Sequence, residues 1–276
     1  AEEVFAGYGI TFEYVDVRDL ALVGKRMRPE TKLVFIETPS NPMMQISDIA
    51  ALSALAHENG ALLAVDNTFL SPHFQKPLTL GADIVLHSGT KYLCGHNDVI
   101  AGFLVLKDAT SAQAKRIELL AKSAGPNLSA LDSWLMLRSI KTLGVRVERQ
   151  AENALAIAQW LGTLPEVTEV LYPGLADHPG YALQQKQASG AGGMISFKVR
   201  SAEIAKAALG RLHLIAFAES LGGVETLLTY PIAQTHAEMP AALLKRTGLD
   251  DKLLRLSVGI EDVEDLKTDL QQALQG

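Results

Sequence analysis

The chain has 276 residues, enough for one or two globular domains. Apolar residues make up 48% and charged residues 20%, the balance of a chain that builds a core, which excludes disordered and fibrous classes. A net charge of −6 without any Lys/Arg block gives no footprint for nucleic acid, and the longest apolar run, residues 99–106, is too short to span a bilayer.

Residues 11–15 are predicted to form a strand, and residues 19–27 a short helix capped by Asp19. LVFIE (33–37) has the pattern of a buried strand. Residues 46–59 carry helical spacing, with Ser47 or Asp48 at the start and Gly60 as the stop. ALLAV (61–65), IVL (84–86) and residues 100–106 supply further apolar strands. Strands apolar on both faces and separated by helices imply a mostly parallel sheet covered on both sides. Long helices follow from about residue 109 to 161, among them one amphipathic segment over 129–143 with Trp134 in its core face and Trp160 packing a later helix. Beyond Pro165, predicted strands at 167–171, 194–199, 215–217 and 253–258 mix with helices at 202–209 and 262–274. The fold class is α/β, with a large domain over residues 1–145 and a smaller α+β domain over 146–276. The glycine-rich SGAGGM (189–194) is expected to be a loop entering a strand.

Cys94, the one cysteine, cannot pair within the chain, which favours a reducing, cytoplasmic compartment. The N-terminal AEEVFAGYG has neither a methionine nor the blocks of a signal peptide, which suggests processing or an upstream part. None of the dinucleotide, P-loop, zincin or hydrolase motifs is present, and the seven histidines are not spaced as metal ligands. The informative positions are Asp66 and Lys91. Asp66-Asn67-Thr68 and Ser88-Gly89-Thr90-Lys91-Tyr92 each follow a buried strand, at the edge where open parallel sheets bind ligands. Alone, Asp66 could cap a turn and Lys91 could be solvated. Together they offer an acid and an amine at one edge, with the Ser88 and Thr90 hydroxyls beside the amine. That set suits pyridoxal 5′-phosphate (PLP), which takes a lysine Schiff base and an acid at its ring nitrogen. Hydroxyls can hold the phosphate, and a lysine of lowered pKa is both nucleophile and proton carrier.

SGTKYLCGHND (88–98) resembles the lysine signature of the Cys/Met-metabolism PLP enzymes: the cystathionine γ-synthases, γ- and β-lyases and homoserine-ester sulfhydrylases. ETPSNP (37–42), AESLGGVE (218–225) and LRLSVGIE (254–261) agree with it, and the likeness runs through nearly the whole chain. The resemblance implies a fold-type-I PLP enzyme. Lys91 would be the catalytic lysine and Asp66 the ring-nitrogen partner, with Ser88 and Thr90 on the phosphate. Arg255 would clamp the substrate α-carboxylate as a bidentate fork, helped by Asn41 and Ser220. Glu219 resembles the γ-synthase and γ-lyase branches, where an acid can meet a distal amino group. Plain readings stand beside these: Arg255 paired with Asp250 or Asp251, Asn41 as a turn residue between prolines, and Glu219 as a solvated loop acid. Cys94 reads as a small filler, and Tyr92 and His96 as packing residues of the lysine loop.

Family members also carry a longer N-terminal part, which supplies a ring-stacking tyrosine, a glycine-rich phosphate turn and a Tyr/Arg pair reaching a neighbouring subunit. Without it, poor PLP binding or none and exposed apolar surface are expected of this chain in isolation. The implied activity is transsulfuration at the γ or β carbon of cystathionine or an O-acylhomoserine, with γ-synthase or γ-lyase first and β-lyase or O-acetylhomoserine sulfhydrylase next. A silent truncated homologue acting as an assembly subunit is the alternative of another class, and an aminotransferase shares the fold. The substrate is a small amino acid, nucleic acid and membrane are not expected as partners, and the family implies a homotetramer.

Overall fold

Leu33–Glu37 (β1) and Leu62–Asp66 (β2), each four apolar residues closed by an acid, pair in parallel, in register Leu33 to Leu62 and Glu37 to Asp66. A parallel pair needs a crossover, which the helix Ile49–Glu58 provides. Asp48 caps that helix by accepting the Ala51 N–H at 2.9 Å, a contact worth about 1 kcal/mol. Gly60, at φ +70°, reverses the chain into β2. Ile84–Ser88 (β3) adds to β2 in parallel, and Gly102–Leu106 (β4) adds to β3 antiparallel, giving the order β1-β2-β3-β4. Ile36, Leu63, Val65 and Val85 pack with Ile49, Leu52 and Ala56 of the helix in one buried cluster.

The computed structural model describes residues 2–234, 244 and 247–275. Its second sheet joins Val167–Leu171 (β5), Met194–Val199 (β6), Ala216–Phe217 (β7), Leu227–Thr229 (β8) and Leu253–Ser257 (β9) in the order β5-β6-β9-β8-β7. Every pair is antiparallel except β7 with β8. Phe197, Leu254 and Leu256 pack with Ile157 and Leu161 of the helix Leu143–Leu161, Ala205 of Ala202–Leu209, and Leu266 and Leu270 of Val263–Gln275. The expected division at residue 145 falls in the first turn of Leu143–Leu161.

Several expectations are corrected. Residues 11–15 are not a strand; no neighbouring strand pairs with them. The predicted helix over 129–143 is two helices, Ala130–Ile140 and the start of Leu143–Leu161, broken at Lys141 and Thr142. Ala130–Ile140 buries Met136 and Ser139, so Trp134, roughly 200° around the axis from Met136, is 58% exposed and not core. Trp160 does pack against a buried cluster. The first sheet is not covered on both faces by the described residues: Phe35 of β1 is 55% exposed and Leu104 of β4 51%. The strand β8 and the helix Tyr181–Gln187 were not anticipated; three residues and seven are too short to show a period.

Side-chain and backbone hydrogen bonds join the segments of the two sheets. Gln187, buried, donates to the Ser47 carbonyl at 3.0 Å and accepts from the Ile49 N–H at 3.3 Å. Ser196 of β6 donates to the Pro42 carbonyl at 2.6 Å. The Val224 N–H donates to the Gly95 carbonyl at 2.9 Å. These bonds bring the loops of the second sheet over the C-terminal ends of β1, β2 and β3.

Candidate active site

The acid is placed by the end of β2. Asp66 is its last residue, and Asp66 Oδ1 accepts two bonds from Thr68, from the hydroxyl at 2.6 Å and the backbone N–H at 2.9 Å. Oδ2 accepts no hydrogen bond among the described residues. The Thr68 hydroxyl in turn accepts the Ser88 N–H at 2.9 Å, which ties the end of β2 to the end of β3. The Ser88 hydroxyl is unengaged among the described residues. Thr90 is more committed: its oxygen accepts the Ala101 N–H at 3.0 Å, and its own proton has only a long 3.4 Å contact to the Ala101 carbonyl.

The amine is placed by one wide turn, Gly89–Leu93, at whose centre Lys91 leaves the helical region with φ −90° and ψ −127°. The turn is held by Cys94 N–H to the Gly89 carbonyl at 3.0 Å and Gly95 N–H to the Lys91 carbonyl at 2.7 Å. From below, the buried Arg146 guanidinium donates to the Tyr92 carbonyl at 2.8 Å and the Leu93 carbonyl at 3.3 Å. Tyr92 and Cys94 are buried in the adjoining core, as packing residues would be. Lys91 Nζ donates to Ser220 Oγ at 3.3 Å. Burial pushes the lysine pKa down, the Arg255 charge adds to that, and Glu219 opposes it. A lowered pKa increases the neutral, nucleophilic fraction at neutral pH.

Arg255, on β9, is 1% exposed. One Nη donates to Asn41 Oδ1 at 2.8 Å; the other donates to the Glu219 carbonyl at 2.8 Å and Thr229 Oγ1 at 3.1 Å, and lies 3.5 Å from the Ser220 carbonyl. Its Nε is buried without an acceptor. Burial lowers its pKa to about 10, so it remains a cation at neutral pH. No carboxylate is paired with it among the described residues. The plain reading of Arg255 paired with Asp250 or Asp251 fails: Asp250 pairs with Lys198 at 3.3 Å. A buried cation without a partner acid is costly to keep, and a carboxylate ligand would offset that cost.

The structure therefore gathers Asn41, Ser220 and Arg255 about one guanidinium and brings Lys91 to the same serine. Asp66 and Lys91 leave the same edge of the sheet from neighbouring strands, with Ser88 between them in sequence. Glu219 is bonded through its carbonyl; its exposed side chain acts on Lys91 and Arg255 through its charge alone. Glu37 and Thr68 received no role from the sequence. Glu37 ends β1 opposite Asp66, and its Oε2 accepts the Asn41 N–H at 3.0 Å. Burial raises its pKa to about 7, with Asp66 adding to the rise and the Asn41 N–H and Arg255 opposing it. Their sequence signal was position: an acid closing a strand, and a hydroxyl two residues after another.

The residues present fit PLP: Asp66 Oδ2 and the Ser88 hydroxyl are open, the amine has a lowered pKa, and a buried guanidinium lacks an acid. Comparison with known proteins agrees. The Cys/Met metabolism PLP-dependent enzyme family matches residues 1–275. A cystathionine gamma-lyase of Bacillus subtilis is 48% identical over 267 residues, which cover 97% of this chain and 70% of that protein. A cystathionine gamma-synthase of Mycobacterium bovis is 43% identical, covering 99% and 69%. The crystal structure of a cystathionine gamma-lyase from Lactobacillus plantarum complexed with L-serine superposes with a TM-score of 0.95 at 41% identity, covering 99% of this chain and 71% of that one.

Proposed function

Since the chain belongs to the Cys/Met metabolism PLP-dependent enzymes, we propose that it is a transsulfuration enzyme acting at the γ or β carbon of cystathionine or an O-acylhomoserine, with γ-lyase or γ-synthase activity first and β-lyase activity next. The observation that carries this reading is the convergence of Lys91 and Arg255 on Ser220, at 3.3 Å from the amine and 3.5 Å from the guanidinium. An α-amino acid bears its nitrogen and carboxylate on one carbon. An amine that exchanges with that nitrogen must therefore sit close to the cation that holds the carboxylate.

Each residue then has a task. Arg255 binds the α-carboxylate through its planar fork, with Asn41 fixing the orientation of the guanidinium. Asp66 Oδ2 would accept a hydrogen bond from the protonated ring nitrogen of PLP, and the Ser88 and Thr90 hydroxyls would donate to its phosphate. PLP, when bound, supplies an electron sink for the carbanion formed at the substrate α carbon. Lys91 Nζ, its pKa lowered by burial, takes the α-proton in its neutral form, and one mobile base can serve the β-proton as well. The exposed Glu219 carboxylate meets the distal amino group of cystathionine. The protein works as a homo-oligomer, a homotetramer, with residues 1–145 carrying PLP and 146–276 closing over the substrate.

The test is borohydride reduction in the presence of PLP followed by peptide mapping, with product assays. Label is expected on Lys91 and none in Lys91→Ala, with 2-oxobutanoate, cystathionine, homocysteine or pyruvate as products. Label at another lysine, or turnover that leaves a pyridoxamine form, overturns the reading. Label on Lys91 without any product identifies a silent binding subunit.

A further inference from the structure

We propose that Thr68 is a positioning residue that couples the two ends of the PLP site, fixing the ring-nitrogen acid Asp66 and the phosphate-side residue Ser88 through one hydroxyl. The inference rests on the functional reading above and deepens it. Thr68 is buried, so it acts through its neighbours.

A hydroxyl has one proton to donate. At 2.6 Å from Asp66 Oδ1, the Thr68 hydroxyl gives that proton to the carboxylate. Its lone pair then takes the Ser88 N–H at 2.9 Å. The direction of the chain is thereby set: Ser88 N–H to Thr68 O–H to Asp66 carboxylate, each bond polarising the next. The Thr68 N–H adds a second donor to the same Oδ1 at 2.9 Å. Two donors on one oxygen hold the carboxylate in a single orientation and leave Oδ2 for the ring. The same oxygen of Thr68 fixes the backbone from which the Ser88 hydroxyl projects. β2 and β3 are already paired through Asp66 and Leu86, but strand pairing alone does not orient a terminal carboxylate. Asn67, between the two, is engaged elsewhere: its amide donates to the Ser71 and Gln75 carbonyls at 3.0 and 2.9 Å.

Thr68→Val keeps the shape and removes the hydroxyl; Thr68→Ser keeps the hydroxyl. The experiment titrates the full chain and both variants with PLP, and follows amide hydrogen exchange of Ser88 without PLP. Losing a hydrogen bond to a charged group should weaken PLP binding in Thr68→Val by roughly tenfold to a hundredfold. Ser88 exchange should quicken in that variant, and Thr68→Ser should restore both readouts. Parental PLP affinity in Thr68→Val overturns the inference alone, since Lys91 labelling then still stands. Thr68→Ser as weak as Thr68→Val, or failure of Thr68→Val to fold while Thr68→Ser folds with weakened affinity, also overturns it, because the hydroxyl would not be what matters. Ser88 exchange as slow in Thr68→Val as in the parent also overturns the inference, and that readout needs no PLP.

Discussion

Glu37 shows how one residue can carry a charge state the surroundings dictate. Its carboxyl ends β1 opposite Asp66, and burial raises its pKa to about 7, with the like charge of Asp66 adding to the rise. An acid whose folded pKa lies above its unfolded value keeps a proton that the unfolded chain releases. Its contribution to stability is therefore complete in acid, declines as pH rises through the unfolded value of 4.5, and reaches its least favourable level above about 7. Glu37→Gln removes this titration and retains an acceptor for the Asn41 N–H. The difference in melting temperature between variant and parent should be more favourable to the variant at pH 8 than at pH 5. Equal differences at both pH values would show that Glu37 ionises freely in the folded protein. Arg255 makes the complementary point. Its residue type, its motif and its company with Asn41 were legible through the resemblance, but not that its second Nη would meet the Glu219 carbonyl and Thr229 Oγ1, which are 36 and 26 positions away.

Among the elements, one close contact joins two loops at the site. Gly222, at φ +78°, brings the loop that follows β7 against the lysine turn, where a Cβ would lie 2.7 Å from the Tyr92 nitrogen and 3.0 Å from the Lys91 carbonyl carbon. Its N–H is held by Ser257 Oγ at 2.7 Å, so the loop has little room to retreat. Gly222→Ala should cost about 1–3 kcal/mol of stability, measured by denaturant unfolding, because it combines an overpacked contact with a backbone conformation that alanine resists. It should also lower Lys91 labelling by PLP in borohydride trapping, since the displaced neighbour is the lysine backbone itself. Full labelling would show that the turn tolerates the shift. Helix starts, by contrast, were local matters. Asp19 and Asp48 cap Leu20–Arg26 and Ile49–Glu58 as their side chains and positions suggest. The break at Lys141 and Thr142 was hidden, because apolar spacing runs on through it.

At the scale of the molecule, much apolar surface has no partner among the described residues. On Ala130–Ile140, Leu131 is 64% exposed and Leu137 67%, with Trp134 beside them and Ile140 following. Large apolar side chains at three-residue spacing form a stripe along one side of a helix, and such stripes mark protein contacts. A second copy is the occupant that fits the proposed homo-oligomer. Sedimentation equilibrium should give a mass above that of one chain, and Leu137→Glu, which places a charge in the stripe, should lower it. A parent mass of 29.7 kDa at all concentrations, or an unchanged assembly in Leu137→Glu, would remove the helix from any such contact.

The local chemistry of the site was written in short strings. Strand-end Asp66, the Ser88–Lys91 run and the apolar strands before them follow from neighbouring residues, because burial periodicity and turn chemistry act within a few positions. The α/β class followed from the alternation of strands and helices. Which groups meet was decided only by folding. The convergence of Lys91 with Ser220, the pairing of Arg255 with Asn41 and the joining of Asp66 to Ser88 through Thr68 link separate segments. The same holds for exposure: Trp134 and Phe35 have core-like side chains and nothing among the described residues to cover them. Hydrophobicity assigns a residue a preference for burial, but only the packing of distant elements determines whether a neighbour is there to satisfy it.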